Sequence, residues 1–421
     1  MRKIMFVFVF LISFSITLYI GLLLINKNST TRSFSQTNSV SVELVTENPK
    51  DISSAHNAFG FNLFKLINKE TKNGNFFISP SSIALALSMV YDGAQGQTQT
   101  EMQKALQFQK LSLDEINQKS LELINTLNKT DSKSEISIAN SVWIHQSVVV
   151  KPDFLNIVKN YYQAEISNLD FLDPYSVGVI NDWVNTSTRG KIPTIINKIP
   201  PGVMMYLINA IYFKGDWEYP FEKSNTKDKD FTSFDGVTKK HPLMEQYDDF
   251  NYFENKDLQS IILPYKGNNG LSMYVFLPKD INKFIADFNA ANWGKWISKY
   301  DLRPGTIILP KFKMEYETEL KDVLVQLGIS SAFTGGADFS GISNTELAIS
   351  RVIHKTYIDV YEEGTEAAAV TAVEMMAMGL SANPPKPPKP FYMEVNHPFV
   401  YTIVDNKTKE MLFVGVVKEL K

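Results

Sequence analysis

Residues 352–383 read VIHKTYIDVYEEGTEAAAVTAVEMMAMGLSAN, and this stretch is the key to the fold. Val352 to Tyr361 alternates as a long strand, and Glu362-Glu363-Gly364 breaks it. Small residues dominate the stretch beyond Gly364. As an isolated stretch, Thr-Glu-Ala-Ala-Ala has good helix propensity, so composition favours an Ala-rich helix. As a strand, period-two alternation places Thr365, Ala367, Ala369, Thr371, Val373 and Met375 on one face. Glu366, Ala368, Val370, Ala372, Glu374 and Met376 then share the other. Both acids fall on one side, so the uncharged side can enter a packed sheet without burying a charge, which would be costly. No proline lies between Gly364 and Asn383, leaving every N–H there free to join a ladder.

In the rest of the chain, helical patterns cluster early and strand patterns late. Ala55, Phe59, Leu63 and Leu66 recur at helical spacing. Ser79-Pro80 predicts a helix start, with Ser79 capping free N–H groups and Pro80 in the first turn. Further helices are predicted around Ile180, Trp183 and Val184, and around Leu320, Leu324 and Leu327, the latter stopped by Gly328. Strands are predicted at 261–263 and 271–277 across an Asn269-Gly270 turn, at 306–309, and at 399–404 facing 411–417. Strict βαβ alternation is missing, which predicts an α+β fold with mainly antiparallel or mixed sheets. No interior linker or repeat divides the chain after Ser53.

Composition narrows the function. The 421 residues are 44% hydrophobic and 21% charged, enough for a large core. A net charge of -3, with no basic stripe, argues against nucleic-acid binding. Cysteine is absent, which removes disulfides, thiolate metal sites and a cysteine nucleophile. The histidines (His56, His145, His241, His354 and His397) are scattered, and none forms a zinc-protease motif. There is no nucleophile elbow, dinucleotide fingerprint or phosphate loop. No metal, cofactor or catalytic residue is therefore expected.

At the N-terminus, Arg2 and Lys3 precede an uncharged apolar run that begins at Ile4 and ends at Ile25. As a helix it would be about 33 Å long, enough for a bilayer core. The pattern fits either an uncleaved membrane anchor or a cleaved signal peptide over residues 1–26, and either predicts export of the remainder. Residues 27–50 are polar and read as a tether to a domain at 51–421.

The segment EEGTEAAAVTA resembles the mobile hinge of inhibitory serpins. So do NFFISPSSI (75–83), GAxGxTxxEM (93–102), INDWVNTSTRGKI (180–192), NAIYFKGDWEYPF (209–221), LPKFKME (309–315), ADFSGI (337–342) and NHPF (396–399), each resembling a family motif and in the family's order. The resemblance covers 53–421 and implies three sheets, about nine helices and an exposed reactive-centre loop. It implies a monomeric suicide-substrate inhibitor of serine proteases, whose cleaved loop inserts into its own sheet. The alternative within the family is a non-inhibitory binding or chaperone-like protein. The implied hinge is Gly364, Thr365, Glu366, Ala367, Ala368 and Ala369. Counting from Glu362 implies Met378-Gly379 as the scissile bond, with Met376 and Ala377 as neighbouring possibilities. No Lys or Arg occurs from Thr356 to Pro385, so elastase-, chymotrypsin- or subtilisin-like proteases are the expected partners. Ser79, Ser82, Asn209 and His354 match the family's shutter, and Glu362, Lys311 and Trp217 its breach. Pro384 to Pro390 (PPKPPKP) departs from the pattern as a stiff insertion.

Overall fold

Whichever segments the sequence marks as helical or extended, their placement is set by where their apolar faces can be covered. The computed structural model describes residues 49–128, 134–267, 270–365 and 389–421. Contacts group Leu44–Lys421 into one compact unit, apart from Met1–Glu43. Nine α-helices occur among the described residues: α1 Ile52–Thr71, α2 Pro80–Tyr91, α3 Gly96–Ala105, α4 Leu113–Leu127, α5 Pro152–Ile157, α6 Tyr175–Ser187, α7 Ile281–Asp287, α8 Ala290–Ile297 and α9 Lys321–Gln326. The strands in chain order are β1 Phe76–Ile78, β2 Ser134–His145, β3 Glu165–Leu169, β4 Met205–Asp216, β5 Lys227–Thr232, β6 Thr238–Glu254, β7 Leu258–Pro264 and β8 Leu271–Pro278. They continue with β9 Asp301–Pro310, β10 Phe312–Glu319, β11 Arg351–Val360, β12 Gly364–Thr365, β13 Phe391–Glu394, β14 Phe399–Asp405 and β15 Glu410–Val417.

The fold is α+β, as expected, with one difference. Two sheets, rather than three, occur among the described residues: a nine-stranded sheet ordered β1-β15-β14-β8-β7-β6-β9-β13 with β5 on β6, and a six-stranded sheet ordered β10-β11-β4-β2-β3 with β12 on β4. The reason is β6. Its residues 238–243 pair with β5, 243–252 with β9, and its last residues, Asn251 to Glu254, pair with β7. One long strand thereby joins by backbone hydrogen bonds what would otherwise be two sheets.

Helix α2 shows why the layers hold together. Ser79 caps it as predicted, its side chain accepting from the Ser82 N–H, and Pro80 opens the first turn. Every residue from Pro80 to Tyr91 is buried. A helix apolar all round must lie inside, and α2 lies against β15 of one sheet and β4 and β2 of the other. On the far face of the six-stranded sheet, Ile180 and Val184 of α6 pack with Trp143, Tyr206, Ile208, Ala210 and Ile353. The sheet is thus covered on both faces around β4 and β11. Gly328 follows the last turn beyond α9 with φ +100°, a backbone that favours glycine.

The membrane-anchor expectation is corrected. Among the described residues no helix is long and apolar enough to cross a membrane. The run from Ile4 to Ile25, on which the anchor and the export of the chain rested, lies outside the described residues. Membrane partnership and an anchored location are not carried further.

Candidate functional site

Strands β4 and β11 run parallel, paired from Tyr206–Arg351 to Tyr212–Tyr357. Beyond those pairs, residues 361–364 turn back on themselves: Tyr361 and Gly364 exchange N–H···O bonds of 2.9 and 3.0 Å around Glu362-Glu363. Gly364 and Thr365 then run antiparallel to β4, opposite Asp216 and Gly215. Gly364 and Thr365, the first two residues of the expected hinge, accordingly sit as the start of a strand beside β4, at the end where β4 and β11 cease to pair. Glu366, Ala367, Ala368, Ala369, Met378 and Gly379 lie outside the described residues.

This turn is held by specific contacts. Glu362 is buried and accepts from Lys311 Nζ at 2.7 Å and from the Thr226 hydroxyl at 2.7 Å. Burial would raise its carboxyl, but those partners hold it below the usual range. The Trp217 indole N–H donates to the Tyr361 carbonyl at 3.0 Å, and its backbone N–H to the Glu363 carbonyl at 2.9 Å. Trp217 also stacks on Tyr265, 4.6 Å between centroids. Glu362, Lys311 and Trp217 are thus brought together around one turn. Sequence reading missed Thr226, Lys223 (paired with Glu363) and Tyr265, whose hydroxyl lies 3.0 Å from that of buried Thr365. No local pattern marks them.

Gly364 is required by the packing. Its φ is +147°, and a Cβ there would lie 2.2 Å from the Gly215 carbonyl oxygen and 2.5 Å from Asp216 Cα. Where the described chain resumes, Arg303 Nε donates to the Lys389 carbonyl at 2.9 Å.

Further along the same two strands lies a second cluster. His354 and Asn209 are register partners, and Asn140 of β2 pairs with Asn209 from the other side. The Ser79 backbone N–H donates to His354 Nε2 at 3.2 Å, so the proton of the neutral ring resides on Nδ1, which donates to Asn209 Oδ1 at 2.5 Å. Asn209 Nδ2 reaches Ser82 Oγ and Asn140 Oδ1, both at 2.5 Å. The Ser79 hydroxyl donates to the Leu412 carbonyl at 2.6 Å. Burial pushes the His354 ring down to about 3, keeping it neutral at physiological pH. All four predicted residues meet, and Asn140 is a fifth that the sequence did not announce. A fully satisfied polar network of this kind ties strands to a helix. It has no nucleophile aimed at open space. Among the described residues no group of three or more His, Asp or Glu side chains could hold a metal ion.

The sequence profile of the family described as Serpin (serine protease inhibitor) matches residues 54–420. The chain is a serpin. It is 38% identical over 383 residues to an uncharacterized serpin-like protein of Methanosarcina mazei, covering 87% of each chain. It is 34% identical to Serpin B3 of Homo sapiens, covering 86% of this chain and 98% of that one. Among solved structures it is similar to tengpin, a thermophilic serpin in the native state, with a TM-score of 0.78 and 34% identity over 88% of this chain and 94% of that one. Belonging to a family of protease inhibitors, this serpin is a non-enzymatic protein.

Proposed function

We propose that this serpin is a suicide-substrate inhibitor of serine proteases with apolar specificity. Its loop, cut at or beside Met378-Gly379 after acyl-enzyme formation, enters the six-stranded sheet between β4 and β11. Serpin loop insertion is an instance of β-strand addition. The observation that carries the reading is the antiparallel pairing of Gly364 and Thr365 with Asp216 and Gly215, which starts such a strand.

Extending that register along β4 sets Thr371 opposite Asn209. Extending the Tyr361–Gly364 bridge along β11 independently sets Thr371 opposite His354. Asn209 and His354 are themselves partners, so the two registers agree. In this register Ala367 would face Phe213 and Ile358, and Ala369 would face Ile211 and Thr356, all buried. Only short side chains would enter there without displacing the core. Glu366 would lie between Lys214 and Asp359, and Glu374 beside Arg351. An added strand making about 15 ladder bonds at about 1 kcal/mol each would gain on the order of 15 kcal/mol, comparable to a domain's whole stability.

Mixing the protein with elastase or subtilisin should give an SDS-resistant complex carrying the N-terminal part of the cleaved chain. Mass spectrometry of the released C-terminal fragment should place the cut at Met378-Gly379 or one to two residues before it. Clean cleavage with full protease turnover across a broad panel would sink the inhibitory reading in favour of a binding or chaperone-like serpin.

A further inference from the structure

Away from the 361–365 turn, one cluster of buried and half-buried polar groups holds fewer protons than its contacts demand. Asp92 caps the C-terminus of α2. Asn117 projects from α4, and Tyr162 from the π-helical turn Val158–Tyr162 that continues α5. Gln163 follows in a left-handed conformation, and the chain enters edge strand β3 two residues later. Asn117 Nδ2 donates to Asp92 Oδ1 at 2.9 Å. The Tyr162 hydroxyl lies 2.9 Å from Asp92 Oδ2 and 2.7 Å from Asn117 Oδ1. Tyr162 and Asn117 are almost fully buried.

With Asp92 ionised, the single phenolic proton faces two acceptors and can satisfy one. With Asp92 protonated at Oδ2, its O–H donates to the Tyr162 oxygen and the phenol donates to Asn117 Oδ1. The Asn117 amide then closes the ring on Asp92 Oδ1, and each of the three contacts has its own proton. We propose that Asp92, Asn117 and Tyr162 form a proton-held latch that fastens the helical layer to the approach of β3, tight when Asp92 carries a proton and slack when it does not. The proposal is independent of the inhibitory reading.

The surroundings agree. The charged side chain acting on the carboxyl is Asp114 of α4, of like sign. Tyr91 neighbours it on α2 and is itself bonded by Gln103 of α3. A carboxylate at a helix C-terminus also opposes the helix dipole. Burial, aided by Asp114 and opposed by the bonds from Asn117 and Tyr162, lifts Asp92 to about 6. Burial likewise pushes Tyr162 well above its ordinary value, so the phenol keeps its proton. Between about pH 4 and 6 the folded chain therefore holds a proton that the unfolded chain has lost, and this group's contribution to stability falls as pH rises through that window.

Selective 13C-carboxyl labelling of aspartate in the full chain, followed by NMR titration, tests the proton. One carboxyl is expected to titrate near pH 6, to vanish in Asp92→Asn and to move to lower pH in Asp114→Asn. Hydrogen exchange tests the latch. After correction for intrinsic rates, amides of the π turn and β3 should be about tenfold or more better protected at pH 5 than at pH 7.5. Asp92→Asn, whose amide can donate as the acid does, should keep them protected at both values; Tyr162→Phe should leave them open at both. An Asp92 signal that titrates with the ordinary aspartates overturns the proposal. So does wild-type β3 protection that ignores pH, whether or not either variant folds.

Discussion

His354 illustrates how a single side chain can matter to this serpin without doing chemistry. It accepts from the Ser79 N–H and donates to Asn209, with no exposed surface. His354→Phe keeps a flat ring, slightly larger, but strands both partners, at a cost of about 2–4 kcal/mol readable as a shift in urea midpoint at unchanged slope. The native protein carries a pH signature of the same residue. Because its folded pKa lies below the unfolded value, His354 contributes stability that is present above about pH 6.5 and lost as pH falls toward 3. On acidification from pH 6.5 the wild type should therefore lose stability relative to His354→Phe, the gap between their urea midpoints narrowing as pH falls. Thr365 is a second such residue. It is buried with its hydroxyl against Tyr265, and a long cation there would have to enter the sheet. Thr365→Arg is expected to raise the stoichiometry of inhibition several-fold, turning inhibitor toward substrate; an unchanged stoichiometry would contradict insertion.

At the level of elements, the hinge turn depends on a backbone conformation that only glycine supplies without strain. Gly364→Ala would press a Cβ onto the Gly215 carbonyl. The expected result is release of β12 from β4 at a cost of about 1–3 kcal/mol, with the Trp217 fluorescence shifting to longer wavelength as its Glu363 contact is lost. Much of this level was legible in the sequence. The Ser79-Pro80 start, the strand from Val352 and the pairing of β14 with β15 follow from local chemistry, because caps, alternation and turns are short-range. The merging of sheets through β6 was not legible. Nothing in this 17-residue stretch says with which strand each of its ends will pair. Thr226, Lys223 and Asn140 escaped for a related reason, since their partners lie 136, 140 and 69 positions away and carry no spacing rule.

For the molecule entire, the proposed trap predicts that cleavage stabilises. A gain on the order of 15 kcal/mol, set against an unfolding entropy of about 0.8 kcal/mol/K for a domain of this size, raises the melting temperature by about 20 °C. Calorimetry of the intact and nicked forms measures this, and an unmoved transition would leave the trap without an energy source. The order of residues alone established the family, the Ser79-Pro80 helix start, the strand from Val352 and the exclusion of thiol chemistry, because residue type and spacing govern caps, periods and reactive groups locally. It took the packed fold to bring Glu362 to Lys311 and Thr226, to hold the His354 proton on Nδ1, and to set Asp92 beside Asn117 and Tyr162. Those facts arise when burial strips water from groups distant in the chain, so that each must find its partner across the fold.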